Sequence, residues 1–220
     1  MNLVSSHIPA DWSLVLWLLL AGLFGLMLRQ AAWRMLKSPA NLNVFLGATV
    51  ALLALWLIRA GIRPGLNFHL LGATTLTLMF RPWFAILAIG LVIAGLTLHN
   101  GQFDAFPANL LLMGVLPVSV TWAIYRFVDT RLPNHMFIYI FLNCFFGAAL
   151  AMAAVGVGST LFAAAAGFYT MDYLLENYAP FYFLMAWAEA FATGMIMTLM
   201  VVYRPEWVAT FDDSRYLQSK

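Results

Sequence analysis

Apolar positions along the chain gather into long unbroken runs. They do not alternate as on half-buried strands. Seven runs stand out: Trp12–Leu28, Val44–Leu57, Phe68–Phe80, Trp83–Leu98, Pro107–Tyr125, Met136–Val155 and Pro180–Val202. About 20 consecutive apolar residues cross a hydrocarbon core as a helix, because lipid offers backbone N–H and C=O groups no outside partner. The pattern therefore predicts an all-α polytopic transmembrane helix bundle of about seven spans. A β-barrel would need short alternating segments, which the continuous runs exclude. The second and third runs are short and are expected to extend into polar flanks or to be shielded by protein. Gly156 and Gly158 are expected to end the sixth segment. The Ala-rich stretch that follows is then a continuation or a re-entrant turn within residues 156–178.

Composition agrees. Of 220 residues 64% are hydrophobic and 9% charged, against roughly a quarter charged in soluble domains. The whole of 1–220 reads as a single integral membrane domain. No Lys or Arg precedes the first run, whereas a cleavable secretory signal carries a positive leading region, so Trp12–Leu28 is read as a retained helix. Cys144, the only cysteine, lies inside an apolar run, which rules out an intrachain disulfide.

The net charge of +2 matters less than where the positives fall. With seven spans and the N-terminus outside, all eleven Lys and Arg except Arg59 and Arg63 fall on the cytoplasmic side. The excess of cytoplasmic positives in membrane proteins favours this orientation, with the C-terminus cytoplasmic. His7, Asn67, His69, His99, Asn100, Asp104 and Asn109 then lie on or near the outer face, and His135 at the inner edge.

The chain holds no HExxH, GxSxG, CxxC or GxxxxGK[ST]. It is read as not an enzyme, and an ATP-driven role would need a partner. His7, just before the first run, and His69, at the start of the third, fall at equivalent depth. Neutral imidazole is the commonest protein metal ligand, and nitrogen-rich sites suit nickel, copper and cobalt. The plain alternative is a pair of interfacial, water-facing side chains. Glu189 lies about ten residues into the last run, near mid-bilayer, where an ionised carboxylate costs at least ~2.5 kcal/mol and usually carries a role. A protonated, packing glutamate is the plain alternative, with Thr193 one turn on as a partner. Met195, Met197 and Met200 read as apolar filler. Ala21 and Gly25 permit close helix approach, inside the bundle or with another subunit.

Several stretches resemble the substrate-capturing membrane subunits of nickel and cobalt energy-coupling-factor transporters, the CbiM/NikM family. "HIPADW" from His7 is similar to that family's opening, and "HLLGATT" from His69 to its second histidine signature. "FPANLLLMG" places Asn109 at a matching asparagine. "EAFATGMIMTLMVVYRPEW" follows the final helix from Glu189 through Glu206. The resemblance implies one divalent ion held by nitrogens, with His7 and His69 supplying the imidazoles, Asn67, His99, Asp104 and Asn109 as possible further ligands or supports, and Pro9 turning the leading segment inward. Six residues precede His7, so the family's terminal amine is not beside it unless the chain is trimmed. The resemblance further implies nickel or cobalt, with copper possible, as transported ligand in a bacterial inner (plasma) membrane. The implied partners are ATP-binding cassette subunits, a coupling transmembrane subunit and membrane lipid, with no nucleic acid. A non-transport assembly or metal-sensing protein on the same scaffold is the alternative.

Overall fold

The computed structural model describes residues 3–63 and 66–216. Met1 and Asn2, which head the segment before His7, and Lys220 of the charge pattern lie outside the described residues. Among the described residues six helices are long and apolar enough to cross a membrane: α1 (Ala10–Gln30), α2 (Pro39–Leu57), α3 (Ala73–Asn100), α4 (Phe103–Arg131), α5 (Met136–Ala165) and, after the short α6 (Met171–Asn177), α7 (Ala179–Tyr203). A two-stranded antiparallel hairpin, β1 (Ala60–Arg63) and β2 (Leu66–Phe68), links α2 to α3 and pairs Ala60 with Phe68 and Gly61 with Asn67.

Helix α3 is two legs joined at a reversal. Arg81 has φ 65° and ψ 168°, a region essentially confined to glycine, and Pro82, with its fixed φ and no N–H, opens the next helical stretch. The packing shows the turn directly. The Phe45 ring meets both Phe80 and Phe84, at 5.4 and 6.1 Å, while Gly72 lies against Leu52 and Gly95 against Leu53. A straight helix would put Gly72 and Gly95 about 35 Å apart, yet their partners are adjacent on α2. The third and fourth predicted runs are thus separate legs, and six long helices give seven.

The leg 73–80 is the centre of the bundle, with Ala73, Thr74 and Leu76–Phe80 all buried. This is how a run too short to span alone is accommodated: other helices shield it. Its hydroxyls are satisfied, Thr77 by the Ala73 carbonyl at 2.7 Å and Thr74 by Thr121 at 2.8 Å. A helix end leaves its last carbonyls without partners. Here the segment after α7 supplies them: the Ala209 N–H donates to the Met79 carbonyl at 3.0 Å and the Thr210 hydroxyl to the Leu78 carbonyl at 2.8 Å. The same tail is fastened by Tyr139 to the Thr210 hydroxyl at 2.7 Å and by an Asp129–Arg215 ion pair at 2.8 Å.

Gly156 and Gly158 do not end a helix; α5 runs through them to Ala165, and the chain turns at Gly167, where φ is +75°. Their role is close approach. A Cβ on Gly156 would stand 2.5 Å from the Tyr182 ring, and one on Gly158 2.8 Å from a Leu116 methyl, the small-residue packing expected where membrane helices touch. Residues 156–178 therefore complete α5, turn, and form α6, without a re-entrant segment. By contrast α1 is peripheral, with only Leu16 and Met27 buried, and its Gly22 and Gly25 face open space.

Candidate metal centre

At the bundle end that carries the β hairpin, residues 69–72 form an extended loop entering the central leg of α3. The loop is held from two sides. Glu189, fully buried on α7, accepts the Leu71 N–H on one carboxylate oxygen and the Gly72 N–H on the other, each at 2.7 Å. From α2, the Trp56 indole N–H donates to the Leu71 carbonyl at 3.2 Å, and the Trp56 ring packs at 4.3 Å from that of His69. Gly72 adopts φ +64° at the start of α3, which a residue with a Cβ adopts at a cost. The sequence suggested Thr193 as the partner of Glu189. The structure instead turns the carboxylate across to a neighbouring loop, because two backbone donors just ahead of a helix are left without carbonyl partners there.

His69 is the product of this arrangement. Its side chain is buried, and Nδ1 lies 3.1 Å from the Leu70 carbonyl, so Nδ1–H donates there and Nε2 carries the lone pair. Nε2 is itself buried with no partner among the described residues. Burial pushes the imidazole down to about 3, with the charge of Arg59 acting in the same direction, which keeps the ring neutral. A neutral imidazole with its N–H held by a carbonyl and its other nitrogen free is the form in which histidine binds a metal.

The leading segment is threaded into the same end. Leu3 is 2% exposed, and the Asn109 side chain pairs with its backbone twice, accepting from Leu3 N at 2.9 Å and donating to Leu3 O at 3.1 Å. Gln102 accepts the Ser5 N–H at 2.6 Å. The chain then makes a single tight turn, Ser5–His7, and Pro9 stands immediately before α1. Pro9 therefore separates an inserted segment from a helix. His7 stacks on Phe168 at 4.3 Å with its ring nearly parallel, meets Tyr169 edge-on at 6.4 Å, and holds Nδ1 buried with no partner among the described residues. Burial lowers its pKa as well.

The two imidazoles thus share an end of the bundle but stand on separate aromatic floors. Among the described residues no hydrogen bond or ring contact joins His7 to His69, and His, Cys, Asp and Glu form no group of three able to hold a metal ion. Asn109 is committed to Leu3. Asn67 is half-buried on β2, while His99 at the end of α3 and Asp104 at the start of α4 are exposed. Of the methionines noted in the sequence, Met197 is buried and Met195 exposed, so they do not share one face. Trp56, Gln102 and Phe168 carry the site without having been singled out. A buried tryptophan just before a polar hairpin was the one available signal.

Between the leading segment and the hairpin lies a cavity of about 340 Å³, lined by Leu3, Val4, Arg59, Asn67, Ile93, Leu96, Thr97, Asn100, Gln102 and Asn109. A family model described as the cobalt uptake substrate-specific transmembrane region (CbiM) matches residues 3–207. The fold is similar to two crystal structures. One, of a truncated transition metal transporter, has a TM-score of 0.78 at 14% identity, covering 92% of this chain and 99% of that one. The other, of a transition metal transporter, has a TM-score of 0.76 at 16% identity, covering 92% and 93%. No curated protein matches the chain.

Proposed function

Because the chain belongs to the CbiM family of cobalt uptake substrate-specific transmembrane regions, a family of transporters and not of enzymes, we propose that it is the substrate-capture subunit for uptake of a divalent transition metal ion, cobalt or nickel, in an ATP-driven energy-coupling-factor transporter. In this reading the hairpin end faces outward in the bacterial inner membrane, and nucleotide-binding subunits and a coupling membrane subunit supply the energy. The observation that carries the reading is His69: a buried neutral imidazole whose Nε2 has no partner among the described residues, on a loop fixed by Glu189 and Trp56. His7, whose buried Nδ1 has no partner among the described residues, is the second ligand and reaches the ion when the leading segment shifts off Phe168.

The test is calorimetric titration of the purified protein with cobalt(II) and with nickel(II). His69→Ala abolishes high-affinity binding and His7→Ala weakens it at least tenfold, while both variants elute and fold as the parent. Unchanged affinity in both removes the reading. The separation of the two histidines favours a second one, an assembly or metal-sensing protein with a degenerate site. That reading predicts weak ion binding and no dependence of cellular metal uptake on the ATPase partners.

A further inference from the structure

A second cavity, of about 460 Å³, opens at the end of the bundle away from the hairpin. It lies between the turn after α1, the reversal inside α3, α4 and the tail after α7, and its lining includes Gln30, Met35, Arg81, Trp83, Phe84 and Trp122. Chain length gives its depth. Ala10, Asn100 and Phe103 sit at the hairpin end, beside the leading segment. Gln30, Arg81 and Trp122 stand 20, 19 and 19 helical positions from them, which is about 28–30 Å at ~1.5 Å per residue. That is the thickness of a hydrocarbon core. The cavity therefore opens at the opposite membrane surface, at the level where tryptophans gather among headgroups.

Arg81 supplies the charge in this lining, which holds no carboxylate. Its side chain is exposed and, among the described residues, makes no ion pair or hydrogen bond. Its charge is felt at the Tyr125 phenol, which is neutral at physiological pH. Of the carboxylates at this end, Asp129 is paired with Arg215 at 2.8 Å and Glu206 with Arg204 at 3.6 Å. The backbone adds a second observation. At φ 65° and ψ 168° a residue with a side chain is held at a conformational cost of the kind met at functional sites. Glycine would make the same reversal without that cost, so the reversal itself does not call for a guanidinium.

A guanidinium matches phosphate geometry, and basic pockets between membrane helices at headgroup depth receive anionic lipids. We propose that this cavity binds one anionic phospholipid, with its phosphate on Arg81 and the upper part of a chain against Met35, Trp83 and Trp122. The lipid fastens the end of the peripheral α1 to the central reversal, whether or not metal is bound.

Native mass spectrometry of the full chain in detergent micelles tests this, with dioleoylphosphatidylglycerol and the zwitterionic dioleoylphosphatidylcholine as probes. One phosphatidylglycerol should bind about tenfold more tightly than phosphatidylcholine, a difference of ~1.4 kcal/mol. Arg81→Gln removes the preference and Arg81→Lys, which lacks the planar fork, retains part of it. Arg81→Gly also removes it, while its lipid-free denaturant midpoint equals or exceeds that of the parent because the backbone is relaxed. Arg126→Gln, at an exposed arginine one turn beyond Trp122 and outside the lining, keeps the preference. Phosphatidylglycerol binding no more tightly than phosphatidylcholine to the parent protein overturns the proposal. Equal losses in Arg81→Gln and Arg126→Gln would reveal diffuse attraction to a basic surface and overturn the site. Inorganic phosphate raising the parent's denaturant midpoint as much as the lipid does would reveal a plain anion site and overturn the lipid.

Discussion

Replacing Glu189 tests the connection between the centre of the bundle and the loop that carries His69. Its two oxygens take the N–H groups of Leu71 and Gly72 at 2.7 Å each, in a site 2% exposed. Leaving a buried donor unsatisfied costs about 1–3 kcal/mol. Glu189→Ala orphans both and leaves a void, so it loses about 3–6 kcal/mol, a large part of the roughly 5–15 kcal/mol that holds a typical domain together. Glu189→Gln keeps one acceptor and turns an NH₂ toward the other donor, losing about 1–3 kcal/mol. The order parent, Gln, Ala should appear in denaturant midpoints measured in detergent micelles. Cobalt affinity should follow it, with Glu189→Gln reducing affinity about tenfold, equivalent to ~1.4 kcal/mol, because the freed loop no longer presents His69 Nε2. Glu189→Gln with parental stability and parental affinity would refute the reasoning. Lowered stability with parental affinity would show that the clamp braces the bundle without placing the histidine.

Three further outcomes are expected. Asn109→Ala orphans the Leu3 N–H and carbonyl, so amide hydrogen exchange across residues 3–8 should accelerate at least tenfold, and unchanged exchange would show that Asn109 does not anchor the segment. Gly156→Ala drives a Cβ into the Tyr182 ring, while Gly158→Ala meets a Leu116 methyl that can rotate away and a Leu112 methyl at ordinary contact distance. The first should cost about 1–3 kcal/mol and the second under about 1 kcal/mol, read from denaturant midpoints. The pKa of His69 is lowered from 6.5 to about 3, so the folded state excludes a proton that the unfolded chain binds. The stability this contributes is fully present above pH 6.5 and declines as pH falls from 6.5 toward 3, by up to about 1.4 kcal/mol per pH unit. His69→Leu should flatten that slope in metal-free titrations.

The apolar runs made the number of legs legible, including the division of the third and fourth at Phe80 and Trp83. The Arg-Pro pair between them breaks both hydropathy and helix geometry, and the reversal falls there. The glycines of α5 were less transparent. A glycine that ends a helix and one that admits a neighbouring ring look alike until Tyr182 is known to lie opposite. At the site, His69 stood out as a histidine opening an apolar run, and Glu189 as a carboxylate deep in one. Their relation did not stand out, because Glu189 binds backbone atoms that carry no residue-type signature. The same holds for Asn109, whose partner is the main chain of Leu3. The aromatic floors under the two imidazoles, Trp56 and Phe168, depend on which helices meet and leave no pattern along one sequence.

Two of the groups that secure the inner leg 73–80 and the loop before it come from far downstream. Glu189 follows its partner Leu71 by 118 positions, and Thr210 follows Leu78 by 132. A ribosome emits these fasteners after every other transmembrane leg has left the exit tunnel, so these two latches on the middle of the molecule close only when translation is almost over. A nonsense codon between positions 166 and 188 would therefore release a chain whose earlier long helices are complete but whose centre lacks both latches.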